Sequence, residues 1–208
     1  FEPDNLVILK REEGHLESVA ATLPPAVKMK AYRTELRKRF CESLLARRVL
    51  IAEGRTEYDA LSAAARRLHE LDSNRFKSLE SLGIAVIDAE TDSQVAPLGT
   101  YFKGLGKTVF AVCDQQEEEA SAAIAAVVDH VYESPESSFE KLILNYTAEE
   151  ALRRYAQDVI DDGRWPPHLE LEAPTAATTL EGLKTVLKKF LSNNKGASEA
   201  AYLLAMCS

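Results

Sequence analysis

Cysteine is scarce in this chain: Cys41, Cys113 and Cys207 stand far apart, and no two form a Cys-x-x-Cys pair. That spacing excludes a zinc ribbon or knuckle. An odd, scattered set also excludes a disulfide scaffold and fits a reducing cytoplasm. Histidine is sparse too, and His69, His130 and His168 show no metal-ligand spacing, so none is given a role. No apolar run approaches membrane-spanning length and no signal-peptide pattern opens the chain, so no membrane partner is expected. A surplus of basic charge is also missing. The formal net charge is −8, which runs against a nucleic-acid binder on average charge alone. The basic residues are unevenly spread, however. Lys28, Lys30, Arg33, Arg37, Lys38 and Arg39 crowd one stretch, either as a phosphate-contacting face or as a solvated one. The chain opens on Phe1 rather than Met and enters at once a strand-like run, so it reads as cut from something longer.

What is present is an ordinary globular composition with a clear rhythm. The 208 residues are 46% hydrophobic and 28% charged, enough to bury a core. A short strand is expected over residues 5–10, then a charged turn through Gly14. Pro24-Pro25 precedes a helix expected over 27–46, with Leu36, Phe40 and Leu44 on one face. From there strands and helices alternate: strands over 48–52, 84–88, 108–113 and 129–132, helices over 57–71, 95–105 and 117–126. Such alternation means a parallel sheet covered on both faces. From Ser137 the pattern is helical, over 138–145, 148–162, 178–192 and from about 197. Leu180, Leu183, Leu187, Phe190 and Leu191 form an apolar stripe, suited to packing on the sheet, on helix 148–162, or on a dimer partner. Trp165 lies in a loop, as a base-stacking platform or as an anchor against the sheet or a partner subunit.

The chemistry lies in the acids. In an open parallel sheet, ligands bind beyond the carboxyl ends of the strands. Three strands end in a carboxylate there, Glu53, Asp88 and Asp114, and Glu57 follows the Gly54-Arg55-Thr56 turn. Singly, Glu57 reads as a helix-dipole partner and Asp114 as an N-cap. Together they repel unless a cation intervenes. Oxygen ligands without His or Cys select Mg²⁺, Mn²⁺ or Ca²⁺. A pair of such ions ~4 Å apart can activate water and stabilise the leaving oxygen of a phosphoryl displacement.

These residues also carry a family resemblance. Val49-Leu50-Ile51-Ala52-Glu53-Gly54-Arg55-Thr56-Glu57 resembles the first motif of toprim domains, and its Glu-Gly-x-x-Glu form resembles that of the overcoming lysogenization defect (OLD) nucleases. Leu82 to Asp88, the Lys103-Gly104-Leu105-Gly106-Lys107 run and the strand to Asp114 are similar to the same family. So are Phe139-Glu140 and Asn194-Lys195-Gly196 downstream and the connector-like stretch 1–40 upstream. The resemblance implies an α/β fold: a toprim-like, mostly parallel sheet flanked by helices, with an additional helical C-terminal subdomain. The implied divisions are 1–46 (connector strand and basic helix), 47–136 (toprim) and 137–208 (helical). The implied activity is DNA endonuclease cleavage by a two-metal mechanism using Mg²⁺ or Mn²⁺. The implied partners are DNA, a second copy in a homodimer, and an ABC-type ATPase domain, the only place for ATP, in an absent N-terminal half. Glu53, Glu57 and Asp114 then bind metal, and Glu53 also serves proton transfer. Asp88, Glu90 and Asp92 become second-site ligands, and Lys195 stabilises charge on the scissile phosphate.

One position departs from the pattern. Where the family has Asp-x-Asp, this chain has Asp114-Gln115-Gln116. Gln116 retains a neutral oxygen for a metal, and Glu117, Glu118 and Glu140 are further candidates for the lost charge, although the Glu117–Glu119 run also suits a solvated first helical turn. Two rival readings follow: a toprim module that binds metal without cutting, and a receiver-like binding or regulatory domain. The latter explains the sheet but leaves Glu53-Gly54-x-x-Glu57 unaccounted for.

Overall fold

The computed structural model describes residues 7–27, 35–166, 172–193 and 199–206. Contacts divide the chain into two compact units. The first joins Phe1–Gly54 with Leu79–Glu133, and the second joins Arg55–Ser78 with Ser134–Ser208.

The first unit is built on a parallel sheet of four strands: β3 (Arg48–Ala52), β4 (Ile84–Asp88), β5 (Thr108–Cys113) and β6 (His130–Glu133), in the order β4-β3-β5-β6. All three pairings are parallel. The register sets Ala52 beside Asp88 on one flank and beside Val112 on the other. The mixed α/β architecture expected from the alternating pattern is therefore present, with three strands at their expected bounds and β6 one residue later. Burial alternates along the strands. Val49, Ile51, Val109, Ala111 and Cys113 are buried in the main core, while Leu50, Phe110 and Val112 facing the other way are half-buried. Helices α1 (Glu35–Leu45) and α3 (Asp92–Gly104) meet over the buried face, where the Phe40 ring lies 5.6 Å from both Tyr101 and Phe102. The short helix α4 (Glu118–Ala125) adds Ile124 to this core.

Two corrections apply to the start of the chain. The strand β1 spans Val7–Glu12, and the expected plain turn leads into a second strand, β2 (His15–Ala20), paired antiparallel with it. The reason is local. Glu13 (φ 48°) and Gly14 (φ 89°) form a two-residue turn in the left-handed region, the geometry whose twist matches a hairpin. Of the helix expected over 27–46, the described part is α1, and Lys28, Lys30 and Arg33 lie outside the described residues, as do the side chains of Arg37 and Lys38.

Helix α3 ends by a specific device. Gly106 (φ 71°) donates its N–H to the Lys103 carbonyl at 2.8 Å, and the Lys107 N–H reaches the Phe102 carbonyl at 3.2 Å. This double closure needs a left-handed residue, which glycine adopts without cost. Lys107 then extends its ammonium to the Leu44 and Ala46 carbonyls, both at 2.6 Å, at the end of α1. The Lys103–Lys107 run is thus structural: it stops one helix and caps another.

The second unit is helical: α2 (Arg55–Leu71), α5 (Phe139–Tyr146), α6 (Glu149–Asp161), α7 (Leu180–Asn193) and α8 (Glu199–Met206). Its core gathers Ala60, Phe139, Ile143, Leu152, Tyr155, Leu183, Leu187, Phe190 and Leu203. The apolar stripe of α7 is spent here, against α5 and α6, so it does not form a dimer seam. Trp165 stacks on Phe190 with centroids 5.2 Å apart and planes within 3°. It anchors its loop on α7. Glu199 is buried below them. It accepts the Tyr155 hydroxyl at 2.8 Å and the Arg164 guanidinium at 2.6 and 2.8 Å. Burial and the Glu199 carboxylate together push the Tyr155 hydroxyl far above its ordinary pKa. Burial works against the charge on Arg164, but its bonds to Glu199 outweigh this and raise its pKa.

Candidate metal and catalytic site

The carboxyl edge of the sheet carries the acids the sequence placed there. Glu53 follows β3 directly, held in line by its backbone N–H on the Val112 carbonyl at 3.1 Å. Asp88 closes β4, and Asp114 follows β5. Neighbouring strands lie about 4.8 Å apart, so Asp88 and Asp114 stand one strand-width from Glu53 on either side and two from each other. The fourth strand ends in an acid as well: Glu133 pairs in register with Cys113. Sequence reasoning assigned Glu133 no part, although the same strand-end rule that selected the other three would have found it.

Glu53 and Asp114 are joined by the structure. The Asp114 backbone N–H donates to Glu53 Oε2 at 3.0 Å, and the Gln116 side-chain amide donates to the same oxygen at 3.0 Å. That amide also donates to the Asp114 carbonyl at 3.0 Å. From the other side, Glu133 accepts the Gln116 backbone N–H at 3.1 Å and the Ser121 hydroxyl at 2.7 Å. These two bonds hold the Glu133 carboxyl below its ordinary pKa. The Cys113 thiol senses the same cluster. Burial first, and then the negative charges of Glu133, Glu53 and Asp114, push it up to about 12. The acids of this edge offer carboxylate oxygens, which suit a hard divalent cation.

The remaining expected residues are placed differently. Asp88 is buried and accepts the Glu90 N–H at 2.7 Å, folding the chain back on itself through Glu90 at φ 64°. Asp92 is exposed in the first turn of α3 and accepts the Ser93 N–H at 2.6 Å. It makes no hydrogen bond to the strand-end acids among the described residues. Glu117 precedes α4, and Glu118 and Glu119 open it, all three solvent-exposed as a first helical turn. Glu57 lies in the first turn of α2 and Glu140 in the first turn of α5, both buried in the second unit. Lys195 lies outside the described residues. Among the described residues, no three His, Cys, Asp or Glu side chains are grouped closely enough to hold an ion. Glu53 is instead seated on the protein's own donors. The residue chemistry fits a hard cation. No helix of the described residues is long and apolar enough to cross a membrane.

Comparison with known proteins bears on this edge. Residues 44–115 match the family described as overcoming lysogenization defect protein-like, toprim domain. The C-terminal region of the Burkholderia pseudomallei OLD protein superposes with a TM-score of 0.54 at 16% identity, covering 78% of this chain and 91% of that one. The corresponding region of the Xanthomonas campestris pv. campestris OLD protein gives 0.51 at 17% identity, covering 79% and 85%. At such identities the likeness is one of fold. No curated protein matches the sequence.

Proposed function

We propose, from the match of residues 44–115 to the OLD-like toprim family, that the chain is the catalytic region of a divalent-metal-dependent DNA endonuclease. The observation that carries the reading is the seating of Glu53. Among the described residues its carboxylate receives only neutral donors, the Asp114 N–H and the Gln116 amide, both on Oε2. Its negative charge therefore stays uncompensated at the edge where open parallel sheets bind ligands, beside a second carboxylate, Asp114.

In this reading Glu53, Asp114 and Glu57 hold Mg²⁺ or Mn²⁺, with Glu57 entering from its place in the sequence, four residues after Glu53. Asp88 and Asp92 extend the ligand set toward a second ion, and Glu140, buried, is a further carboxylate for it. The ions would supply Lewis-acid polarisation of the phosphate and a water activated at neutral pH. Glu53 serves proton transfer through Oε1, the oxygen that receives no hydrogen bond from the described residues. Lys195 offers a point charge to the phosphate oxygens as they gain charge in the transition state. DNA, a second copy of the chain and an N-terminal ATPase domain are the proposed partners, and the cytoplasm the proposed compartment.

The test is cleavage of supercoiled plasmid with Mn²⁺. Nicking or linearisation that is lost in Glu57→Ala supports the reading, and cutting retained in that variant removes it. A second reading, a toprim module that binds metal without cutting, draws on the amide at Gln116 where the family pattern has a second aspartate. It expects a metal-dependent rise in melting temperature with no cleavage under any divalent ion.

A further inference from the structure

The loop after β5 contains an amide where the family pattern has a second aspartate, and its geometry gives that amide a task. The Gln116 side-chain nitrogen lies 3.0 Å from Glu53 Oε2 and 3.0 Å from the Asp114 carbonyl oxygen. Both neighbours are acceptors, one a carboxylate oxygen and the other a backbone carbonyl oxygen. The amide must therefore turn its NH₂ toward them, because the reverse orientation would set oxygen against oxygen twice. An aspartate at this position has acceptors only. It would face the Glu53 carboxylate and a carbonyl with nothing to donate, and only a cation would relieve that repulsion.

The loop is positioned from both ends. Glu133 takes the Gln116 backbone N–H at 3.1 Å and is itself held by the Ser121 hydroxyl at 2.7 Å. The Asp114 N–H adds a second donor to Glu53 Oε2 at 3.0 Å. Two donors on one carboxylate oxygen hold the carboxylate plane in a single orientation. They leave Oε1 as the atom without a hydrogen bond from the described residues.

We propose that Gln116 is a positioning residue, whose amide sets the Glu53 carboxylate in place before any ion arrives and directs Oε1 to the ion or water. The role rests on the metal-site reading above but differs from a ligand role for Gln116. Exchanging an acidic side chain for an amide turns a site that needs its cation to be stable into one assembled beforehand. The cost is one negative charge, and hence weaker ion binding.

The experiment measures melting of the described chain in EDTA and then in millimolar Mn²⁺, for the parent, Gln116→Glu and Gln116→Leu. Gln116→Glu keeps the length and replaces the donor with an acceptor. In EDTA its melting temperature should fall by about 3–6 °C, from an unmet acceptor pair and added repulsion, and its gain with Mn²⁺ should exceed that of the parent. Gln116→Leu should also melt lower in EDTA, through loss of the donor alone. Unchanged melting of both variants in EDTA, with only the Mn²⁺ gain altered, would make Gln116 a ligand and overturn the proposal. A second readout needs no variant at position 116. In metal-free parent protein, one Gln116 side-chain amide proton should resonate downfield and exchange slowly, and should lose both properties in Glu53→Ala. An amide proton indifferent to Glu53 would also overturn it. If no variant and no parent responds to Mn²⁺, the metal reading fails while the EDTA measurements still decide the role of Gln116.

Discussion

Two glutamates, one in each unit, are seated on hydrogen-bond networks of contrasting kinds. In the helical unit, Glu199 is buried against the Arg164 guanidinium and the Tyr155 hydroxyl. A fixed cation cancels its charge, and nothing is left over for a ligand. In the sheet unit, Glu53 is held by a backbone N–H and a glutamine amide. These donors fix its geometry and leave its charge in place. A carboxylate paired with arginine is a structural tie, whereas one held by neutral dipoles at a strand end keeps the charge that the proposed cation would meet. The difference teaches that hydrogen-bond satisfaction and charge compensation are separate properties, and that a cation site needs the first without the second.

The comparison can be broken or sharpened by experiment. The largest effect should come from Glu199→Ala, which strands a partly buried guanidinium and removes the acceptor of Tyr155. A loss of about 3 kcal/mol is expected, read by urea denaturation and independent of divalent metal. A metal-dependent loss would mean that the two glutamates are not so distinct. Glu53→Gln should do the reverse. Its metal-free stability should change by less than the Glu199 variant's, but the melting gain on Mn²⁺ addition should vanish, a gain worth about 2.7 kcal/mol at a hundredfold excess over Kd. Persistence of that gain would place the ion elsewhere. Tyr155→Phe keeps the ring against Phe190 and Tyr202 and removes one hydrogen bond, for a cost of about 1 kcal/mol by chemical denaturation.

The smallest expected effect concerns a third acid, Asp129. It accepts the Val109 N–H at 2.8 Å and faces the Lys103 ammonium at 3.3 Å. The backbone bond chiefly, and then Lys103, lower its pKa. A carboxyl whose pKa is lowered by folding contributes stability above the unfolded value of about 3.9, lost as pH falls through the folded value. Asp129→Asn should therefore flatten the acid limb of the stability profile below about pH 4 and leave the neutral limb parallel to the parent. An unchanged acid limb would show that Asp129 plays no part in it.

Much of the sheet was legible because its signals are local. Strands such as Val49–Ala52 and Val109–Cys113 are short apolar runs between turn residues, and their register follows from chain direction once the sheet is parallel. Placing Glu53, Asp88 and Asp114 at one edge needed no more than that. The hairpin strand β2 was not legible, since His15–Ala20 is mostly exposed and lacks the apolar alternation that marks a strand. Asp92 read as a candidate ligand because of its nearness in sequence to Asp88, yet a reversal at Glu90 and the start of α3 set it in solvent. Glu133 was passed over because β6 is a weak edge strand whose end is poorly marked.

The sequence by itself determined where the acids stand along the chain, because strand ends and helix starts are set by neighbouring residues. Only the tertiary structure decided what each acid does with its charge. Glu199 meets Arg164 across a helix bundle, Lys107 reaches back to the end of α1, and α2 packs on α8 from the far end of the chain. Gln116 turns its nitrogen to Glu53 because two acceptors from different parts of the chain converge on it. Such choices depend on groups far apart in sequence, and no local pattern encodes which donor a carboxylate will find.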